Sequence, residues 1–140
     1  MTITFLGLGN APALPTGPSA LTLVRLTSPA GSAGDRWLVG GPLVAHVEVG
    51  SYAYKVVSGV HKSLVIRGVD TWTPEDELVV EQVALGVEVT LNAGDAVFEP
   101  DGTVSQARRS GTEPAVALFV AVISVDEGSP VESPATTPAT

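Results

Sequence analysis

The sequence predicts an all-β domain built from short antiparallel strands that form a sandwich or a barrel. Between residues 20 and 125, apolar residues alternate with polar ones or form short β-branched blocks, which are the patterns of half-buried and fully buried strands. Turn dipeptides such as Gly50-Ser51 and Asp101-Gly102 separate the blocks. Many short strands at regular spacing favour an antiparallel sandwich or barrel.

Ten strands are predicted in this region. In Val87–Leu91, for example, the three apolar residues share one face of the strand and the two polar residues lie on the other. In chain order the predicted strands are Ala20–Leu26, Arg36–Val39, Leu43–Val49, Tyr52–Val57, Ser63–Arg67, Leu78–Leu85, Val87–Leu91, Ala96–Glu99, Thr103–Arg108 and Ala115–Val125.

The strand region is flanked by two segments of different character. Residues 1–19 form a lead-in that Gly and Pro interrupt, so a long helix is excluded and a path across the barrel is predicted. Residues 126–140 contain three Pro and no aromatic residue, and such a composition predicts a disordered tail. Within the strand region, Thr73–Asp76 predicts one helical turn, because a capping residue precedes Pro and an acidic residue follows.

Composition and charge exclude several classes of protein. A length of 140 residues fits one domain, which here comprises the barrel region 20–125. The absence of cysteine excludes disulfides and thiolate metal sites. The chain has only seven Lys and Arg residues, and its net charge is -8. Because nucleic acids and anionic membranes bind clustered basic residues, neither is a predicted partner.

The sequence predicts a cytoplasmic protein. No apolar run approaches the ~18 residues of a transmembrane helix, and Met1–Leu14 lacks the basic residues that begin a secretory signal. A leader cleaved before residue 1 would leave no trace in this sequence.

The stretch Gly94–Gly102, with Ser105 and Arg109 following it, resembles the second sequence motif of the cupin family. That motif has a glycine, five residues, Pro-x-Gly, two residues, a histidine, three residues and an asparagine. The stretch Gly94–Gly102, followed by Ser105 and Arg109, has the complete spacing. However, Ser105 stands at the histidine position and Arg109 at the asparagine position.

The sequence also has the spacing of the first cupin motif, but it lacks the metal ligands of that motif. Its two flanking glycines match Gly31 and Gly50. Between them, Trp37 and Val39 occupy the two histidine positions and Leu43 occupies the glutamate position. The resemblance covers about residues 21–125.

The resemblance implies a jelly-roll β-barrel, often homodimeric, with a pocket inside. A typical cupin binds iron, manganese, nickel or zinc through three His and one Glu. A divalent metal needs imidazole, carboxylate or thiolate ligands, and Trp, Val, Leu and Ser at these positions do not provide them. No metal and no other cofactor is therefore predicted, and the three apolar replacements are read as packing of the interior.

Few other residues are candidates for chemistry. His46 is out of phase with Leu43, so a surface or interface position is predicted for it, and His61 lies at a turn. Glu99 lies near the barrel mouth, where Arg109 or a backbone N–H is its expected partner. Arg109 shares the parity of Ser105 and is a candidate to hold a carboxylate or phosphate, although a solvated Arg pair is the more common arrangement. No catalytic nucleophile, phosphate loop or dinucleotide motif is present.

The sequence thus predicts a metal-free cupin that serves as a small-molecule binding module or as a structural homodimer. The predicted pocket residues are Trp37, Val39, Leu43, Glu99, Ser105 and Arg109, and none is predicted to be catalytic. Two alternatives stay open. One is a cofactor-free enzyme that uses Glu99 and Arg109 on a small anionic substrate such as a sugar or keto acid; the other is a degenerate partner of a metal-bearing homologue.

The homodimer is predicted from the strands as well as from the resemblance. Apolar residues occupy both faces of Leu43–Val49 and Ala115–Val125, which is more than one buried face uses. We therefore expect the outer face of one sheet to contact a second copy of the chain.

Overall fold

The computed structural model describes residues 1–12, 14–29, 35–38 and 42–124, with only the backbone described at 35–38. The predicted disordered tail at 126–140 and the candidate pocket residue Val39 lie outside these ranges.

The fold is all-β, as predicted, and each predicted strand overlaps an observed one. In the described residues the strands are β1 (Ser19–Ser28), β2 (Asp35–Leu38), β3 (Leu43–Val49), β4 (Ser51–Ser58), β5 (Leu64–Arg67), β6 (Val79–Gln82), β7 (Val89–Asn92), β8 (Ala96–Glu99), β9 (Val104–Arg109) and β10 (Ala115–Ser124).

The strands form two antiparallel sheets. The larger sheet has six strands in the order β1-β10-β3-β8-β5-β6, and the smaller has four in the order β2-β9-β4-β7. The first and last strands of the domain pair along their whole length, with Ser19 opposite Ser124 and Ser28 opposite Ala115. Neighbours in space are therefore often distant in sequence.

The hydrophobic core lies between the two sheets. Val47, Val65 and Val97 from the six-stranded sheet pack in one cluster with Tyr54 and Leu91 from the four-stranded sheet. In β10 the burial alternates along most of the strand, and every second residue from Ala115 to Ala121 is buried. Burial of one face of each sheet in a shared core removes apolar area from water and is the main stabilising contribution to such a fold.

The segment before β1 lies against the outer face of the six-stranded sheet. A side chain at Gly7 would overlap the methyl group Cγ1 of Val44, and one at Gly9 would overlap the ring of Phe98. Glycine at both positions therefore allows the backbone to approach the sheet closely.

The predicted helical turn at Thr73–Asp76 is wrong. This stretch is a hydrogen-bonded turn in which the backbone N–H of Asp76 donates to the carbonyl of Thr73 at 2.9 Å, and the Thr73 hydroxyl donates to the Asp76 carboxylate at 2.9 Å. This single backbone bond closes one turn, and the chain is extended again at Val79, where β6 begins, so no helix propagates from the turn. The helical element of the described region is a single 3-10 turn at Val69–Thr71. No helix in the described part of the chain has the length and apolar character needed to cross a lipid bilayer.

Candidate functional site

A cavity lies between the two sheets. Its volume is about 60 Å³. Strands of both sheets contribute side chains to its wall. Most of this wall is apolar, and the apolar residues that line it are Leu26, Leu43, Ala45, Val47, Leu91, Val97, Ala107, Ala117 and Phe119.

Glu99 contributes a carboxyl group to this apolar wall. The residue ends β8, shares the inward parity of Val97 and is only 3% exposed. Its oxygen Oε1 accepts a hydrogen bond of 2.6 Å from the hydroxyl of Tyr54, a residue of β4 in the opposite sheet. The hydrogen bond therefore joins the two sheets inside the cavity.

Burial shifts the protonation of both groups towards their neutral forms. Desolvation raises the pKa of the Glu99 carboxyl above its ordinary value, while Ser105 and Tyr54 act in the opposite direction by hydrogen bonding. Desolvation also raises the pKa of Tyr54, and the neighbouring Glu99 carboxyl raises it further. Tyr54 consequently stays a hydrogen-bond donor towards Glu99.

A second tyrosine, Tyr52, also lines the cavity. The Tyr52 hydroxyl lies 3.1 Å from the hydroxyl of Ser28, so the two hydroxyl groups are hydrogen-bonded to each other. Burial raises the pKa of Tyr52, and its hydrogen bond with Ser28 partly opposes this rise. Two neutral phenols thus line the cavity together with one carboxyl group.

Three of the six predicted pocket residues line this cavity. Leu43, Glu99 and Ser105 contribute to the wall, and Ser105 is almost fully buried. Trp37 is the antiparallel partner of Ser105 in the pairing of β2 with β9. Its side chain and the whole of Val39 lie outside the described part of the structure.

Arg109 does not belong to the described wall of the cavity. Its terminal nitrogen Nη1 donates to the backbone carbonyls of Gly111 and Glu113, the second at 3.0 Å, and these bonds hold the guanidinium over the turn after β9. Glu99 is paired with Tyr54, so the expected contact between Glu99 and Arg109 is absent from the described residues. Strand parity puts Arg109 on the same side of the sheet as Ser105. Its long side chain nevertheless lies over the turn, because the carbonyl groups of Gly111 and Glu113 accept its hydrogen bonds.

The surface position predicted for His46 is wrong. Its side chain is 7% exposed, and neither ring nitrogen has a hydrogen-bond partner among the described residues. Its neighbours Ala45 and Val47 line the cavity, so the parity argument that puts His46 on the opposite face holds. The lead-in segment lies over this outer face at Val44, which shows that the face is partly covered by the chain itself.

Sequence reasoning missed the two tyrosines. Tyr52 and Tyr54 belong to the predicted strand Tyr52–Val57, and their spacing of two puts them on one face. The signal was therefore present, but an aromatic pair on a strand normally indicates core packing. Only the pairing of the sheets brings the Tyr54 hydroxyl to Glu99.

The cavity wall suits a hydrogen-bonded organic molecule better than a metal ion. Among the described residues, no three His, Cys, Asp or Glu side chains come together. One carboxyl group with one phenol can accept or donate a hydrogen bond and can transfer a proton, while the surrounding apolar residues exclude water.

The chain has no match among protein-family models, and none among curated proteins. The solved structures to which it is distantly similar include the following two. One is the X-ray structure of ycfD from E. coli, with 17% identity and a TM-score of 0.49 over 74% of this chain. The chain covers 26% of that protein. The other belongs to the disulfide-linked pili of Bacillus endospore appendages, with 15% identity and a TM-score of 0.25, over 83% of this chain and 100% of that one. Likenesses this distant indicate neither a family nor a function.

Proposed function

We propose that this protein is a metal-free member of the cupin family whose jelly-roll domain binds a small molecule in the cavity between its sheets. The observation that carries the proposal is the lone carboxyl group of Glu99, hydrogen-bonded to Tyr54 at 2.6 Å in an otherwise apolar cavity. An apolar wall with a few polar groups is the usual design of a small-molecule site. Glu99 and Tyr54 would orient the ligand, and the aliphatic residues would hold its apolar part.

The arrangement of the cupin-like motifs supports the family assignment. The stretch Gly94–Gly102 contains β8 and the turn into β9, and it ends close to the cavity residue Ser105. Leu43, which stands at the glutamate position of the first motif, lines the same cavity. Residues at matching positions of the two motifs thus face one space, as the family resemblance requires.

Two other functions receive less support. A purely structural module needs a filled interior, whereas a cavity with a buried carboxyl group fits a ligand. A cofactor-free enzyme is favoured by Glu99, because a buried acid with a raised pKa is a frequent proton donor or acceptor in active sites. The proposed anionic substrate is not favoured, since the Arg109 guanidinium bonds carbonyl groups away from the cavity.

Filling the cavity tests the proposal directly. Ala117 lines the cavity, so Ala117→Leu adds apolar volume at the expected binding position. Ala84 is exposed and lies away from the wall, so Ala84→Leu adds the same side chain as a control. We expect isoamyl alcohol to cause saturable amide NMR shifts around the cavity of the parent and of Ala84→Leu but not of Ala117→Leu. Shifts of equal size in all three proteins would contradict the proposal.

Elemental analysis tests the metal-free part of the proposal. We expect purification without chelator to yield no stoichiometric transition metal, because Leu43 and Ser105 stand at two of the four ligand positions and neither provides a carboxylate or an imidazole. About one tightly bound Mn, Fe, Ni or Zn per chain would disprove it.

A further inference from the structure

We propose that the cavity selects a small lipophilic amine, bound as its ammonium cation with the nitrogen on the Glu99 carboxylate. This inference rests on the proposed small-molecule function and names the chemical class of the ligand. Three independent features of the protein support it: the lack of a cation beside Glu99, the size and aromatic character of the wall, and the charge of the whole chain.

Glu99 has no basic partner in the described wall of the cavity. Its hydrogen-bond donors are neutral hydroxyl groups, those of Tyr54 and Ser105, and the described lining includes no Lys, Arg or His. A buried carboxylate is strongly destabilised unless a positive charge or several donors accompany it. A ligand that brings an ammonium group supplies the missing charge, whereas a ligand that brings a carboxylate adds a second negative one.

The rest of the wall suits the body of such an amine. A cavity of about 10–15 Å³ holds one water, so 60 Å³ accommodates roughly four to six non-hydrogen atoms. That is the size of a short branched alkylamine. The rings of Tyr52, Tyr54 and Phe119 also line the cavity, and aromatic faces attract cations.

The charge of the whole chain favours the same class of ligand. With a net charge of -8, the protein attracts cations to its surface and repels anions. A cationic ligand should therefore associate faster and bind more tightly than an anionic one. Added salt screens this attraction and weakens the effect.

The affinity for an amine is expected to depend on pH through Glu99. The other titratable groups in the described wall are Tyr52 and Tyr54, whose pKa values are raised, so both stay neutral phenols. Glu99 is protonated at low pH and ionised at high pH, with burial raising its pKa above the usual value. Amine binding should therefore strengthen as pH rises through that transition, while binding of a neutral alcohol should stay constant.

The experiment compares three ligands of one branched skeleton: isoamylamine, isoamyl alcohol and isovalerate. Amide NMR titrations of the full chain at neutral pH measure the affinity of each. We expect the amine to bind about tenfold or more tightly than the alcohol, on the scale of a charge-assisted hydrogen bond, and isovalerate to bind weakest.

Two variants locate the selectivity. Glu99→Gln keeps the size of the side chain and removes its charge, so it should abolish the preference for the amine over the alcohol. Glu88→Gln removes one negative charge from an exposed ion pair with Arg108 and should leave the preference intact. Amide spectra of the free variants show whether each is folded.

The outcomes separate this inference from the function on which it rests. If the alcohol binds in the cavity as tightly as the amine, the amine inference is wrong and the small-molecule function stands. If the preference survives in Glu99→Gln, the inference is wrong as well. If none of the three ligands gives saturable shifts at the cavity, both proposals fail.

Discussion

At the scale of single residues, Glu99 and Tyr54 form a polar pair inside an apolar interior. The hydrogen bond of 2.6 Å between them offsets part of the cost of removing both groups from water. Apolar side chains of similar volume would pack at lower cost, since replacing buried charged groups by hydrophobic ones is often neutral or stabilising. The pair therefore costs stability, which is consistent with a role in ligand binding.

Because burial disfavours the ionised form of Glu99, the free energy of unfolding should depend on pH. Its folded-state pKa is raised above the usual value of 4.5, so the folded protein binds the proton more tightly than the unfolded chain does. The stabilising contribution is therefore complete below the unfolded-state pKa and is lost as pH rises through the folded-state pKa. We expect Glu99→Gln to gain stability relative to the parent over this range.

Urea unfolding of both proteins at a series of pH values measures this effect. Glu88→Gln is the control, because it removes an exposed carboxylate and should follow the parent at every pH. A constant difference between Glu99→Gln and the parent from acidic to neutral pH would contradict the raised pKa.

At the scale of structural elements, Asp95 fixes the turn between β7 and β8. Its carboxylate accepts backbone N–H bonds from Asn92 and Gly68 and a charged hydrogen bond from Arg67, each at 2.9 Å. The turn is thereby joined to the end of β5, which lies beside β8 in the six-stranded sheet. The strand that carries Glu99 thus begins at a firmly held residue.

Removal of this carboxylate should loosen the turn. We expect Asp95→Ala to lower the free energy of unfolding by about 3 kcal/mol, because it leaves two partly buried backbone N–H groups without their acceptor and removes one of the two carboxylates that pair with Arg67. Glu88→Ala breaks an exposed ion pair instead and should cost less than about 1 kcal/mol. Chemical denaturation measures both; an equally small loss for Asp95→Ala would show that the three hydrogen bonds contribute little.

Local patterns predicted the elements well, whereas contacts between distant elements were predictable only in part. The alternation in β10 and the inward parity of Glu99 follow from residues within one strand. The partner of Glu99 lies 45 positions away in sequence, and no local pattern identifies Tyr54 as that partner. The burial of His46 was missed for a similar reason, because the outer face of its strand is covered by another part of the chain.

Trp37 in β2 provides a test of the motif alignment. The alignment predicts that Trp37 lies in the interior, and β2 pairs Trp37 with the buried residue Ser105 of β9. We expect Trp37→Ala to cost about 3–5 kcal/mol in denaturant unfolding, the range for buried aromatic truncations. In a Trp72→Phe background, Trp37 fluorescence should be blue-shifted. A red-shifted, solvent-quenched emission would mean that the first motif is misaligned.

At the scale of the whole molecule, β1 forms an edge of the six-stranded sheet and carries two outward leucines. Leu21 is 77% and Leu23 is 70% exposed, and within the described residues only β10 pairs with β1. A ten-residue edge strand without Pro is a template for pairing with another chain. A second copy meets this need by symmetry, since two antiparallel β1 strands satisfy each other. We therefore propose that a homodimer forms at this edge.

Introducing a lysine in the edge strand β1 tests whether the dimer forms there. We expect the parent to have the mass of a dimer by light scattering at micromolar concentration, and Leu23→Lys to have the mass of a monomer. Val60 is 91% exposed in the turn after β4, so Val60→Lys is a matched control that should stay dimeric. A monomeric parent would refute the dimer, and a dimeric Leu23→Lys would place its interface elsewhere.

The pairing of the first strand with the last determines how the domain responds to a pulling force. Because Ser19 lies opposite Ser124, the two ends of the strand region leave the sheet at the same point. A force that separates these ends loads the hydrogen bonds between β1 and β10 one after another, as in a zipper, and never all together in shear. We expect the domain to open at low force from this pair of strands, and opening of the pair removes Leu26 from the wall of the cavity, while β10 stays paired with β3. Tension on the chain would thus release a bound ligand before the rest of the fold is lost.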